Sequence, residues 1–238
     1  MDVAAGTIGV IGGTGPLGSG LGLRWTLAGR TVVLGSRDPD RAQAAALALR
    51  ARLPGIRPAA LRGGSNAEAA ACEVVVVAVP FDALTAALPP LAGVLAGKVV
   101  LSCVNPLTFD TVGARPLAVP AGSAAEEVAG LLPGARVVAA FQHIPAAALR
   151  NPSSQVDADV LLTGDDSQDK AVAAELARAV PGLRPVDAGP LRLSAAVENL
   201  TAVLIAVNRR YRVRAGIRVT GLGDAALRRP VAGEQPGG

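Results

Sequence analysis

A glycine-rich segment at residues 8–18, IGVIGGTGPLG, is compatible with few local folds. Gly13, Gly15 and Gly18 form a G-x-G-x-x-G pattern between a short apolar run and a helix-like segment. In such a unit the first glycine permits a tight turn, the second lets the backbone approach a pyrophosphate, and the third lets helix and strand pack closely. The following helix N-terminus offers free N–H groups to an anion. The segment therefore predicts a dinucleotide-binding loop, with a purely structural glycine turn as the alternative.

Short β-branched runs alternate with Ala/Leu-rich segments through the first half of the chain, which predicts βαβ units. Predicted strands are 7–11, 31–34, 74–79, 99–102 and 136–140. Predicted helices are 17–28, 39–53, 66–72 and 82–88. Beyond residue 145 the pattern predicts strands at 160–162 and 184–186, and helices at 167–180 and 193–210.

We therefore expect an α/β protein: a Rossmann doubly wound parallel sheet with a smaller C-terminal α/β domain that ends in a long helix. The expected boundaries are 1–145 for the Rossmann domain and 146–223 for the C-terminal domain. Residues 224–238 are Pro/Gly-rich and polar at the end, and are expected to form a disordered tail.

The end of the second strand predicts which dinucleotide binds. NAD enzymes usually place an Asp or Glu there to bind the ribose hydroxyls. This chain instead has Ser36 and Arg37, with Arg41 one helical turn further on. Because a guanidinium binds phosphate through charge-assisted hydrogen bonds, these residues predict the 2′-phosphate of NADP. The alternative is that Asp38 or Asp40 binds the ribose and Arg37 is solvated surface.

Composition excludes several classes of function. The formal net charge is +4, but the chain has only five aromatic residues, so stacking platforms for nucleic acid are not expected. No stretch reaches the roughly 18 unbroken apolar residues of a membrane span. The N-terminus lacks a signal-peptide pattern, so we expect a cytoplasmic protein without membrane or nucleic-acid partners.

Two cysteines and one histidine also limit the chemistry. Cys72 and Cys103 are expected to be buried small hydrophobes, and no metal site is expected because a zinc site needs clustered Cys and His. A G-x-S-x-G elbow is missing, and the only tyrosine, Tyr211, has no Lys four residues later. Hydride transfer, which needs little acid–base catalysis, suits such a chain.

The long predicted helix carries apolar residues on one stripe: Val197, Leu200, Val203, Leu204 and Val207. This spacing fits one buried helical face. The face is expected to pack within the subunit, or alternatively against a second copy of the chain.

The one histidine, His143, follows a predicted strand in the segment AFQHIPAA at residues 140–147. This position lies near the carboxyl edge of a parallel sheet, where ligands bind in doubly wound folds. Taken alone, it fits a hydrogen-bonded structural histidine as well as a site residue.

Taken together, the motifs resemble those of the coenzyme F420-dependent NADP reductases. They are GGTGPLG at 12–18, GSR at 35–37, HIPAA at 143–147, GDD at 164–166, DAGPL at 187–191 and AGIRVTG at 215–221. They run in order through almost the whole chain. The resemblance implies reversible hydride transfer between NADP(H) and the deazaflavin coenzyme F420 in a homo-oligomeric enzyme, here expected to be a dimer. It also implies that the deazaflavin lies between the two domains.

The resemblance also implies roles for individual residues. In the glycine loop, NADP contacts are expected from Gly13 through Gly18, including Thr14, Pro16 and Leu17. Ser36, Arg37 and Arg41 match the contacts to the 2′-phosphate. The remaining implied residues are Val79, Pro80, Asn105 and Pro106 beside the nicotinamide, and His143, Ile144 and Pro145 beside the deazaflavin. His143 is the expected catalytic residue, acting by hydrogen bonding to the pyrimidine-like end of the deazaflavin.

One segment departs from the family pattern. The long helix begins with Ser194-Ala195-Ala196, where the family is more basic. Contacts to the anionic tail of the deazaflavin are then expected from Arg192 or Arg209. Two alternatives are an NADPH-dependent reductase of another small substrate, such as an imine or ketone, and a non-enzymatic NADPH-binding redox sensor.

Overall fold

The structure is a computed structural model, and it describes residues 6–53 and 55–223. The described strands are β1 (Thr7–Ile11), β2 (Thr31–Ser36), β3 (Leu61–Ser65), β4 (Val74–Val77), β5 (Val99–Ser102), β6 (Leu107–Phe109), β7 (Ala114–Pro116), β8 (Arg136–Ala139), β9 (Ala158–Leu162) and β10 (Leu183–Asp187). The described helices are α1 (Pro16–Leu27), α2 (Pro39–Arg50), α3 (Asn66–Ala70), α4 (Leu84–Ala87), α5 (Ala92–Leu95), α6 (Ala124–Leu131), α7 (Ala146–Leu149), α8 (Ser167–Arg178) and α9 (Ser194–Tyr211). The predicted disordered tail lies outside the described residues.

Six parallel strands form the central sheet, in the order β3-β2-β1-β4-β5-β8. The chain starts in the middle, winds outward in one direction to β3 and then returns to build the other half. This is the doubly wound order, with its switch point between β1 and β4, and it confirms the predicted fold class. A parallel pair, β9 and β10, and a hairpin, β6–β7, complete the described strands.

The sheet is apolar on both faces because helices cover both. All four residues of β4 are buried, as the run of valines predicts. Some helices touch the strands directly through glycines: a Cβ at Gly9 would lie 1.8 Å from the carbonyl oxygen of Ala69 in α3. A Cβ at Gly63 would lie 2.1 Å from the carbonyl carbon of Ala42 in α2. Close backbone packing therefore fixes α2 and α3 on the sheet.

The C-terminal part packs against the same sheet. One buried apolar cluster contains Ile8 and Leu101 of the central sheet together with Val160 of β9 and Leu176 of α8. Ala139 and Thr163 join β8 to the end of β9 through an antiparallel bridge. The division of the chain at residue 145 stays a prediction, and the core is shared across it.

Helix α9 is only partly covered. Val197 and Leu204 are buried, whereas Val203 is 56% exposed. The predicted apolar stripe is therefore incompletely buried within the subunit. The segment Leu191–Tyr211 is long and apolar enough to cross a membrane by length and composition alone, a criterion that core helices of soluble proteins also meet. In the structure α9 is tied to α6, because the buried carboxylate of Glu198 accepts hydrogen bonds from the backbone N–H groups of Ala124 and Ala125.

Candidate functional site

The glycine loop joins β1 to α1 at the carboxyl edge of the sheet. Its left-handed residue is Gly12, with φ of +74°. The tight turn assigned to Gly13 from the sequence thus lies one residue earlier. The Gly12 N–H donates to Oδ1 of Asn66, at the start of α3, over 3.2 Å. A side chain 54 residues away therefore fixes the conformation of the loop.

The three glycines of the motif differ in what surrounds them. A Cβ at Gly13 would lie 2.9 Å from the carbonyl oxygen of Val10, and a Cβ at Gly18 would lie 2.9 Å from Cα of Gly13. Both residues are therefore required by packing inside the protein. A Cβ at Gly15 would make only ordinary van der Waals contact, 3.5 Å from the carbonyl oxygen of Gly12. Packing among the described residues therefore does not require this glycine, whereas close approach of an external ligand would.

The N-terminus of α1 is prepared for an anion. Pro16 is the first helical residue, the N-cap Gly15 provides no side-chain hydrogen bond, and the first turn contains no acidic residue. Backbone N–H groups at this end are therefore left to other partners, and the helix dipole favours a negative group there.

Ser36 and the two arginines lie where β2 ends and α2 begins. Ser36 is buried, and its Oγ accepts a hydrogen bond from the Asp38 N–H over 3.2 Å. Arg37 and Arg41 are exposed. Among the described residues no carboxylate lies within ion-pair distance of either guanidinium, so both are free to bind an anionic ligand.

The carboxylate of Asp38 already makes hydrogen bonds within the protein. Its Oδ1 accepts hydrogen bonds from the N–H groups of Asp40 and Arg41, at 3.1 and 3.2 Å, and so caps α2. Capping of this kind accounts for an Asp at this position without a ribose contact.

The loops that follow β4 and β5 reach the same edge. A Cβ at Gly12 would lie 2.7 Å from Cγ1 of Val79, so Val79 lies directly against the glycine loop. Asn105, after β5, donates from Nδ2 to the carbonyl oxygen of Gln142 over 2.8 Å. Oγ1 of Thr201 in α9 lies 3.1 Å from Oδ1 of Asn105 and 3.2 Å from the Gln142 carbonyl oxygen. Asn105 therefore links the β5 loop, the β8 loop and α9.

The loop after β8, residues 140–145, contains a strained backbone conformation at Phe141. Phe141 is fully buried and has a φ of +66°, a left-handed conformation that is unusual for a bulky residue. Its ring packs edge to face on Trp25, with 5.7 Å between the ring centres. Such strain costs about 1–3 kcal/mol and persists only where the surroundings hold it, which occurs most often at functional sites.

Two buried side chains in this loop keep polar atoms without a partner. Within the described structure, neither the oxygen nor the nitrogen of the Gln142 side-chain amide makes a hydrogen bond. Nδ1 of His143 makes none either. Buried polar groups are normally satisfied, so each such atom requires an explanation, such as a missing ligand. Ile144 is also buried, and Pro145 precedes α7.

His143 is held through its other ring nitrogen. Nε2 lies 2.8 Å from the backbone carbonyl oxygen of Asp159 in β9. Because a carbonyl only accepts, Nε2 carries the proton and Nδ1 of the neutral ring is an acceptor. Burial lowers the pKa of His143, so the neutral form is favoured. The catalytic role of His143 stays a prediction. Since Nε2 is hydrogen-bonded to Asp159, Nδ1 is the ring nitrogen that could contact a ligand.

Several residues around the site were missed by sequence reasoning. Asn66 contacts the glycine loop at Gly12 and Thr201 contacts the predicted site residue Asn105, but each lies far away along the chain and no local pattern marks it. Of the residues expected at the deazaflavin tail, Arg192 is exposed, and Arg209 donates to the Val112 carbonyl oxygen over 3.0 Å.

The sheet order and the glycine loop entering α1 define a Rossmann-type dinucleotide-binding protein. Comparison with known proteins narrows this class. Residues 7–106 match the family described as NADP oxidoreductase, coenzyme F420-dependent. The chain is 40% identical over 221 residues to the F420-dependent NADP reductase of Methanothermobacter thermautotrophicus, covering 90% of this chain and 95% of that protein. It belongs to the family of F420-dependent NADP reductases.

Other relatives agree with this assignment. The F420-dependent NADP reductase of Methanocaldococcus jannaschii is 36% identical over 222 residues, which cover 90% of this chain and 98% of that protein. A solved structure from Arthrobacter sp. FB24, provisionally named as an F420-dependent NADP reductase, superposes with a TM-score of 0.75 at 27% identity. It covers 90% of this chain and 98% of that one.

Proposed function

We propose that this protein is an NADPH:F420 oxidoreductase, which transfers a hydride reversibly between NADP(H) and the deazaflavin coenzyme F420. Its relatives named F420-dependent NADP reductase match along nearly their whole length, and this observation carries the proposal. The coenzymes supply the hydride chemistry when bound. The protein has to bind them, orient their rings and exclude water.

The residues predicted to bind NADP have a geometry and charge that suit this coenzyme. The pyrophosphate would be held at the N-terminus of α1 by Gly13 through Gly18, with Thr14, Pro16 and Leu17, because this end has no side-chain cap and no acidic residue in its first turn. Ser36, Arg37 and Arg41 would hold the 2′-phosphate, since both guanidinium groups lack an ion-pair partner among the described residues. The use of Asp38 as a helix cap supports this assignment over a ribose contact.

The deazaflavin ring would bind beside the nicotinamide, next to the loops that follow β4, β5 and β8. Val79, Pro80, Asn105 and Pro106 would flank the nicotinamide, because their loops lie next to the glycine loop and the β8 loop. The unpartnered polar atoms of Gln142 and His143 support a ligand with hydrogen-bonding groups beside Ile144 and Pro145.

His143 is the proposed catalytic residue. Its neutral ring would accept, at Nδ1, a hydrogen bond from a ring N–H of the reduced deazaflavin and so would orient that coenzyme. Such a contact would help to position the ring, and most of the rate acceleration would come from holding donor and acceptor close together.

The assembly and location of the protein form part of the proposal. We infer a homodimer, because α9 and the β6–β7 hairpin leave large apolar side chains exposed, including Phe109, Val203 and Tyr211. A cytoplasmic location is proposed with it. The burial of Glu198 against α6 supports a helix that packs in the fold and does not span a membrane. No nucleic-acid partner is proposed.

The alternative reductases share the fold. An imine reductase from Bacillus cereus superposes with a TM-score of 0.58 at 20% identity, which reflects the fold alone. Imine or ketone reduction and a non-enzymatic NADPH sensor are less well supported, because the relatives that match along nearly their whole length are named F420-dependent NADP reductases.

Mixing the protein with NADPH and F420 tests the proposal by the visible absorbance of the deazaflavin. We expect that absorbance to disappear on the addition of catalytic amounts of protein. Tight NADPH binding without bleaching would support the sensor, and NADPH consumption with a cyclic imine alone would support the other reductase.

A further inference from the structure

The C-terminal segment at residues 215–219 has a structural partner in β9. The Asp159 N–H donates to the Ile217 carbonyl oxygen over 2.7 Å, and the Val219 N–H donates to Oδ2 of Asp159 over 2.7 Å. A Cβ at Gly216 would lie 2.6 Å from Cβ of Ala158, so a larger residue would push the segment away from the strand. The segment thus lies along β9 and is anchored at Asp159.

The side chain of Asp159 is fully buried among donors. Arg184 donates from Nε and Nη2, at 2.7 and 3.0 Å, and Arg218 donates from Nη1 over 2.9 Å. Burial alone would raise the pKa of this carboxyl, but the hydrogen bonds from Arg184, Val219 and Arg218 bring it below its ordinary value. Asp159 is therefore a charged carboxylate with little freedom to move.

The same residue holds the histidine. The Asp159 backbone carbonyl accepts the Nε2–H of His143 over 2.8 Å. A hydrogen bond at one ring nitrogen fixes the tautomer and orientation of an imidazole, and so determines what the other nitrogen can do. The clamp on the Asp159 side chain and the neighbouring segment keep this carbonyl aimed at the ring.

We infer that Asp159 and Arg218 are positioning residues, which hold His143 in the Nε2–H tautomer and keep Nδ1 as a bare acceptor. The 215–219 segment would then affect the reaction indirectly, because Arg218 acts on His143 through Asp159. The kinetic part rests on the proposed function, whereas the orientation of the ring does not.

The chain offers a direct measurement because His143 is its only histidine. In untagged protein labelled with ¹⁵N, every imidazole signal therefore comes from this residue. We expect the wild-type spectrum to show a single neutral Nε2–H tautomer with a slowly exchanging ring proton. A spectrum of the Nδ1–H tautomer, or of rapidly averaging tautomers, would overturn the inference.

Asp159→Asn and Arg218→Gln test the clamp. We expect both to give averaged tautomer signals and faster exchange of the ring proton. Turnover with F420 should fall about tenfold or more, as for a misplaced catalytic group, while the KM for NADPH changes less than twofold. Arg218→Gln leaves Arg184 on the carboxylate, so it remains informative if Asp159→Asn fails to fold. Arg218→Lys, which keeps one charged donor, should recover part of the wild-type signal.

Asp157→Asn is the matched control. Asp157 also pairs with Arg218, but its side chain is 81% exposed and it has no contact with the histidine. We expect wild-type imidazole signals and wild-type turnover from this variant. Unchanged imidazole signals in both Arg218→Gln and a folded Asp159→Asn would refute the inference. If the wild-type protein shows the expected tautomer but does not reduce F420, the proposed function fails while the positioning of His143 stands.

Discussion

Loss of the buried guanidinium of Arg24 should destabilise the folded protein. This α1 residue is only 2% exposed and has no acidic partner among the described residues. Its guanidinium instead donates to backbone carbonyl oxygens at the end of α7 and in the next loop. These acceptors are the carbonyl oxygens of Ala148, Leu149, Asn151, Pro152 and Ser154. One side chain thus caps α7, the helix that begins directly after Pro145.

The substitution Arg24→Met keeps much of the side-chain volume and removes all these donors. The buried carbonyl of Leu149 would lose its donor, and leaving a buried acceptor unsatisfied costs about 1–3 kcal/mol. The carbonyl of Ala148 would keep hydrogen bonds from the Ser154 hydroxyl and the Asn151 N–H. Water can reach the other acceptors in part. Relief from burying a charge offsets some of the loss. We therefore expect a loss of about 2 kcal/mol, which for a chain of this size lowers Tm by about 4–8 °C.

Urea denaturation followed by circular dichroism measures this loss. Arg52→Met is the matched control, because exposed Arg52 makes a hydrogen bond to only one carbonyl in the same region, that of Arg150, over 2.8 Å. We expect the control to remain within about 0.5 kcal/mol of wild type. If Arg24→Met proves as stable as Arg52→Met, the capping argument is wrong.

Three further predictions concern the coenzymes and pH. Arg37→Ala should reduce the preference for NADPH over NADH about tenfold or more, since a hydrogen bond to a charged group contributes about 1.5–3 kcal/mol. An unchanged ratio of the kcat/KM values for NADPH and NADH would instead support the alternative that Asp38 binds the ribose. His143→Ala should lower turnover with F420 without abolishing it, and either complete inactivity or full activity in the steady-state assay would contradict the role proposed for its ring. Burial raises the pKa of Glu198 despite its hydrogen bonds to α6, so the folded state binds more protons than the unfolded state above the unfolded pKa. Stability should therefore fall as pH rises from the ordinary Glu pKa through the raised one, and denaturation of Glu198→Gln across that range should show a smaller slope.

The central strands and the helix starts could be predicted from sequence because local patterns determine them. The valines of β4 are buried on both faces, as their unbroken run indicates. α2 begins at the predicted position because Asp38 caps it and Pro39 is its first residue. The glycine loop was also predictable, since its spacing reflects packing at Gly13 and Gly18.

Strand β3 was missed for a physical reason. It contains Gly63 and Gly64, and glycine weakens strand propensity. The structure uses Gly63 because the backbone of α2 lies against it at Ala42, a contact that no local pattern shows. Helix α6 was also missed, although Ser123 and Glu126 form an S-x-x-E pattern, and the Ser123 Oγ accepts the Glu126 N–H. That signal could have found the helix.

The support around the candidate site could not be predicted, since it depends on long-range contacts. Thr201 meets Asn105 and Gln142 across 96 and 59 residues of sequence. Asn66 meets Gly12 across 54 residues. Single side chains in such contacts leave no periodicity or spacing in the sequence, and only the fold brings them together.

Isotope transfer in a single turnover measures whether the hydride passes directly from NADPH to F420. NADPH carrying deuterium at both C4 positions is mixed with an excess of enzyme and F420, and the reduced deazaflavin is analysed by mass spectrometry. Direct transfer between the two rings predicts one deuterium in each reduced F420 molecule. Reduced F420 without deuterium, or NADPH oxidation that leaves F420 unchanged, would contradict the account.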